Sequence, residues 1–184
     1  MKSKLRLIIT IFALFLTLIS ASLAYRKLSK ENEVIDSSEE VLDLKEKAIG
    51  FYIYDNNEQK VNLDDFTGVP VIINFWTSWC SPCQQELPGF EKMYQEYGDK
   101  INFMMVNLTA DTRETKEKAD KLVNDNGYSF IVYYDLDGNA ASNYNISSIP
   151  VTIFIDKDGY IRKKYVGAIN ETTLENIIGA LLKQ

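Results

Sequence analysis

The chain begins with an uncharged run, Leu7 to Tyr25. Lys2, Lys4 and Arg6 precede it, and Arg26, Lys27 and Lys30 come after it. As a helix the run would span about 28 Å, close to the roughly 30 Å hydrocarbon core of a bilayer. It exceeds the usual ~7–15-residue core of a secretory signal. The expectation is therefore a single-pass anchor over residues 1–25, with the membrane crossed by residues 7–25. Cleavage near Ala24, after Ser22-Leu23, is the alternative. Residues 26–48 are dense in charge and lack aromatics, the pattern of a linker. This stretch is long and acidic, which places the remainder of the chain outside the membrane.

Beyond Ile49 the pattern becomes that of a folded domain. Phe51–Tyr54 alternates, Asn56-Asn57 breaks it, and Lys60–Leu63 resumes, which predicts a hairpin. Val71–Trp76 is an apolar, β-branched run interrupted only by Asn74, the mark of a buried central strand. Phe90, Met93, Tyr94 and Tyr97 recur at helical spacing, so a helix is expected from Cys80 to Tyr97, kinked at Pro88. Ile101–Leu108 reads as a strand, Thr112–Asn126 as a polar helix ending at Gly127, and Phe130–Tyr134 as a third parallel strand. Asp137-Gly138 turns into a short helix around Ala140–Tyr144. Val151–Ile155 and Ile161–Val166 flank Asp156-Lys157-Asp158-Gly159, a second hairpin. Asn170–Leu182 closes as an amphipathic helix. Alternation of strands and helices implies one α/β domain over 49–184, with a central mixed sheet covered by helices on both faces.

Composition narrows the chemistry. Among 184 residues there are 20 Lys+Arg, 26 Asp+Glu and no histidine, for a net charge of −6. That balance argues against nucleic acid as a partner. Without histidine, imidazole acid–base catalysis and His-containing metal sites are excluded. With two cysteines, so is a four-thiolate zinc site. No cofactor and no resident metal are expected.

Both cysteines fall in Trp79-Cys80-Ser81-Pro82-Cys83, after a buried strand and at the start of a helix. Positions i and i+3 share a helix face, so the sulfurs can meet. The helix N-terminus offers unpaired N–H groups and the positive end of a dipole, worth up to ~2 kcal/mol to a thiolate. Cys80, at the exposed end, is expected to attack; Cys83, one turn deeper, to resolve. Pro82 suits a first helical turn, where its missing N–H has no partner. An inert structural bridge is the other reading of the pair, although so small a loop would constrain the unfolded chain little.

The segment FWTSWCSPCQQELP resembles the active-site segment of the thioredoxin superfamily, and within it the membrane-anchored, extracytoplasmic ResA/TlpA-like branch. The resemblance covers roughly residues 49–184. It rests on WCSPC, on Glu86-Leu87-Pro88 just after it, and on Ser148-Ile149-Pro150-Val151-Thr152, which is similar to the superfamily's cis-proline loop. It implies a thioredoxin-like three-layer fold, with the hairpin before it and an extra αβ unit within Thr112–Tyr134. It also implies that Pro150 is cis, that the Ile149 backbone pairs with an extended substrate, and that Trp79 shapes the substrate surface. Thioredoxin proper has an aspartate where this chain has Asn74, which does not titrate. Glu86, three residues after Cys83, is then the proton-handling candidate, if it is buried rather than an ordinary solvated helix residue.

The function implied is reduction of protein disulfides by dithiol–disulfide exchange outside a bacterial cytoplasmic membrane. The expected partners are disulfide-bearing envelope proteins as substrates and a membrane electron donor for re-reduction. Cytochrome c maturation and support of methionine sulfoxide reductases are both open. Two other readings of the same pair also stand at this point: an oxidant that introduces disulfides, and a non-enzymatic Cu(I)-binding module.

Overall fold

The computed structural model describes residues 15–20, 22, 46–66 and 68–183. The chain divides into two units, residues 1–40 and 41–184. Most of the expected anchor, the cleavage site near Ala24 and nearly all of the expected linker lie outside the described residues. Residues 15–20 and 22 are helical. No helix among the described residues is long and apolar enough to cross a membrane.

The second unit is an eight-stranded mixed sheet with helices packed on it. Its strands are β1 (Glu46–Lys47), β2 (Tyr52–Tyr54), β3 (Lys60–Asn62), β4 (Val71–Trp76), β5 (Asn102–Asn107), β6 (Val132–Tyr134), β7 (Val151–Ile155) and β8 (Tyr160–Val166). Its helices are α1 (Ser81–Tyr97), α2 (Lys116–Asn126), α3 (Asn139–Asn143) and α4 (Glu171–Leu181). The spatial order is β1-β8-β7-β4-β5-β6-β2-β3. β4, β5 and β6 run parallel, joined through α1 and α2; every other pairing is antiparallel.

The apolar run of β4 takes the centre of the sheet, because a strand buried on both faces can carry no polar alternation. All six of its residues are buried. Ile72 and Trp76 face a core built with α1, α2 and α4, including Leu87, Phe90, Met93, Ala119, Val123, Leu174 and Ile178. Val71, Ile73 and Phe75 face the opposite core, with Phe51, Ile53, Tyr133, Ala140 and Tyr144. Three long helices thus cover one face. The short α3 and the β2–β3 hairpin cover the other. Met104 and Met105, neighbours on β5, fill one core each and are fully buried.

α1 continues through Pro88 as one element. α2 starts at Lys116 rather than at Thr112. The Thr115 hydroxyl accepts the Lys118 N–H at 3.3 Å and caps it there. The four residues before it are drawn into a turn by Asp111, whose carboxylate accepts the Arg113 N–H at 2.8 Å. The αβ unit β5-α2-β6 extends the sheet, and β2 docks on its outer strand at Tyr54 opposite Tyr134.

β1 lies within the segment read as linker, pairing Glu46 with Ile161 and Lys47 with Tyr160. Only residues 48–51 separate it from β2, six strand spacings away in the sheet order. Across a flat sheet that distance would be about 29 Å at ~4.8 Å per spacing. An extended chain from Lys47 to Tyr52 reaches only about 18 Å. The sheet therefore twists and curls until its two edges approach.

Candidate active site at Cys80 and Cys83

β4 ends at Trp76, and Thr77, Ser78 and Trp79 lead into α1. Cys80 is the N-cap of α1 in extended backbone, and its sulfur accepts the Cys83 N–H at 3.2 Å. Pro82 stands in the first turn, as its missing N–H allows. Cys80 and Cys83 are joined by a disulfide, with their Cα atoms 5.2 Å apart. Cys80 keeps 4% exposure and Cys83 none. The expected order of accessibility is present, but Cys80 is itself nearly buried rather than exposed. Trp79 beside it is 38% exposed, whereas Trp76 is wholly within the core.

Glu86 lies one turn beyond Cys83 and is buried. Its Oε1 accepts the Asn74 side-chain amide at 2.7 Å, and its Oε2 accepts the Ile169 N–H at 2.9 Å. The same amide nitrogen donates to the Thr152 hydroxyl at 3.1 Å. Asn74 Oδ1 is buried with no hydrogen-bond partner among the described residues. Burial pushes the Glu86 carboxyl up from 4.5 to about 7, while the Ile169 N–H and the Asn74 amide pull it down. Asn74 on β4 thus binds the buried carboxyl of the neighbouring helix through its neutral side-chain amide.

The Ile149–Pro150 bond is cis. Pro150 is buried and its carbonyl accepts the Gly167 N–H at 2.9 Å. The Ile149 side chain packs against both cores. Its backbone makes no hydrogen bond to another described residue. An unpaired peptide group next to an exposed loop is what an added extended strand requires.

Sequence reading missed a further set of contacts. Ser78 is held by Glu114 and by Gln84, and Arg113 lies over the Trp79 ring with its guanidinium carbon 3.5 Å from the centroid. Arg113 and Glu114 belong to the turn before α2, not to the helix expected from Thr112. The available signal was Thr115, a second capping residue directly before the charged helical pattern.

A disulfide at a helix N-terminus, a cis-proline loop and a mixed sheet sandwiched by helices define a thioredoxin-like redox enzyme. The chain belongs to the AhpC/TSA family, whose model matches residues 44–164. It is 32% identical over 152 residues to the thioredoxin-like protein YneN of Bacillus subtilis, covering 82% of this chain and 84% of that one. It is 31% identical over 147 residues to the thiol–disulfide oxidoreductase ResA of Bacillus thuringiensis, covering 80% and 82%. Among solved structures, a Chlorobium tepidum chain assigned as thiol:disulfide interchange protein DsbE superposes with a TM-score of 0.66 at 31% identity, over 76% of this chain and 98% of that one. The protein is a thiol–disulfide oxidoreductase of this type.

Proposed function

We propose that this enzyme acts as a reductant outside the cytoplasm, held at the membrane through residues 7–25. The Cys80 thiolate attacks one sulfur of a substrate disulfide, and the other substrate sulfur leaves as a thiolate. The Cys83 thiolate then attacks the Cys80 sulfur of the mixed disulfide. The second substrate thiolate leaves, and the Cys80–Cys83 disulfide closes. Two electrons pass from the dithiol to the substrate. A membrane electron donor returns them, because no thioredoxin reductase operates outside the cytoplasm. Glu86 holds or releases a proton as the neighbouring thiol changes state. Trp79 and the Ile149 backbone receive the substrate segment.

The observation that carries this reading is the Cys80–Cys83 bridge at the start of α1, with the buried Glu86 carboxyl one turn behind it. The experiment is the reduction potential of the full-length protein, equilibrated against dithiothreitol. A value near −270 mV is expected for a reductant; one near −120 mV would make it a disulfide-forming oxidant and reverse the direction.

Among envelope substrates, the haem-binding cysteine pair of apocytochrome c is the first to test. Normal cytochrome c maturation in a deletion strain would remove it, leaving methionine sulfoxide reductases and other envelope proteins. In the parent strain the chain is expected to stay with membranes through an alkaline wash. Release into the wash would sink the anchor.

A further inference from the structure

The redox loop is clamped from a segment that the exchange chemistry does not touch. Ser78, two residues before Cys80, has each of its polar groups engaged from outside the loop. Its N–H and its hydroxyl both donate to the Glu114 carboxylate, the hydroxyl at 2.9 Å. Its carbonyl accepts from the Gln84 side-chain amide on α1. Glu114 is 4% exposed and also accepts the Thr115 N–H at 3.2 Å. Its own N–H donates to the Asp111 carbonyl at 3.0 Å, which fixes the turn. Arg113, one residue earlier, covers Trp79 and is steadied by Asp111, with Nη2 3.2 Å from Oδ2. Two successive residues of the β5–α2 loop therefore grip two successive residues of the redox loop. A carboxylate this buried keeps its place only because donors surround it, and most of those donors belong to Ser78.

We propose that Glu114 is a positioning residue of the redox site. Through Ser78 it holds Cys80 where it closes onto Cys83, and so it helps set the reduction potential. The inference rests on reading Cys80–Cys83 as the working redox couple. A dithiol held close to its bonded geometry favours ring closure; loosening the loop lowers the equilibrium constant for forming the disulfide. Glu114→Ala in the full-length protein is expected to lower that constant three- to tenfold, a tenfold change being a rise of about 30 mV in potential. Glu114→Gln keeps one acceptor for the Ser78 N–H and offers an amide donor to the Ser78 hydroxyl oxygen, so it should recover most of the wild-type value. Ser78→Ala should shift the potential by itself but add nothing on top of Glu114→Ala, as a shared interaction requires.

A purely structural role would lower the melting temperature and leave the potential of the folded protein where it was. An unmoved potential in folded Glu114→Ala, or a Gln variant as perturbed as the Ala variant, overturns the proposal. If Glu114→Ala does not fold, an unmoved potential in folded Glu114→Asp, whose carboxylate is one methylene too short to reach both Ser78 donors, overturns it equally. A wild-type protein that exchanges no electrons with dithiothreitol overturns the redox reading as well. A measurable wild-type potential with unshifted variants removes Glu114 alone.

Discussion

Cys80→Ser is expected to abolish disulfide reductase activity, whereas Cys83→Ser should leave the first attack intact and halt the cycle there. The asymmetry arises from position. Cys80 caps the helix and retains some exposure, while Cys83 is sealed within α1. A substrate sulfur therefore has access to Cys80 first. With Cys83 replaced, the mixed disulfide has no internal thiol to resolve it and should accumulate. A non-reducing gel of Cys83→Ser incubated with an excess of a disulfide-bonded protein would show it as a band that collapses with dithiothreitol. Turnover of insulin disulfides should be undetectable in both variants. Trapping by Cys80→Ser instead of Cys83→Ser would exchange the two roles.

Glu86→Gln is expected to remove a pH dependence from both stability and catalysis. Burial raises the Glu86 carboxyl from 4.5 to about 7. Between those values the folded state holds a proton that the unfolded state has released. The stabilisation is fully present below about 4.5 and is lost as pH rises through about 7. A shift of that size corresponds to roughly 3 kcal/mol at ~1.4 kcal/mol per pH unit. Urea midpoints of the wild type, measured from pH 5 to pH 8.5, should fall relative to those of Glu86→Gln, which keeps the shape but not the charge. In catalysis, the variant should lose the step near pH 7 in the rate of exchange and run more slowly, because Gln neither gives nor takes a proton. Parallel urea midpoints would mean that Glu86 does not titrate in this window. An unchanged pH–rate profile would take it out of the mechanism.

What could be read from the sequence was whatever depends on neighbours along the chain. β4 was legible because Val71–Trp76 is buried on both sides and so carries no polar alternation. The redox helix was legible because Cys80, Pro82 and Cys83 each suit a particular place in a first turn. α4 was legible to within a residue because Asn170 caps it, accepting the Thr173 N–H at 2.9 Å. The cis state of Pro150 came from resemblance, since no local pattern distinguishes it. The contacts that organise the site join residues far apart in the chain. Asn74 meets Glu86 across a strand and a helix, and Ser78 meets Glu114 across 36 positions. Asn74 and Glu86 each stood out in the sequence but their contact did not, and neither Ser78 nor Glu114 stood out at all. β1 is two charged residues whose pairing depends only on where β8 begins.

The placement of β1 bears on solubility. An outer strand with unpaired backbone groups is a template for another chain. β8 is such a strand, and β1 covers it only at Tyr160 and Ile161. Farther along it carries Arg162, Lys163 and Lys164 in succession, the kind of charge that resists strand addition. Cover and charge thus divide the strand between them. A shortened chain starting at Ile49 would discard the cover and bare the end of β8 that carries no basic residue. Fragments intended to stay monomeric at high concentration should therefore begin ahead of Glu46.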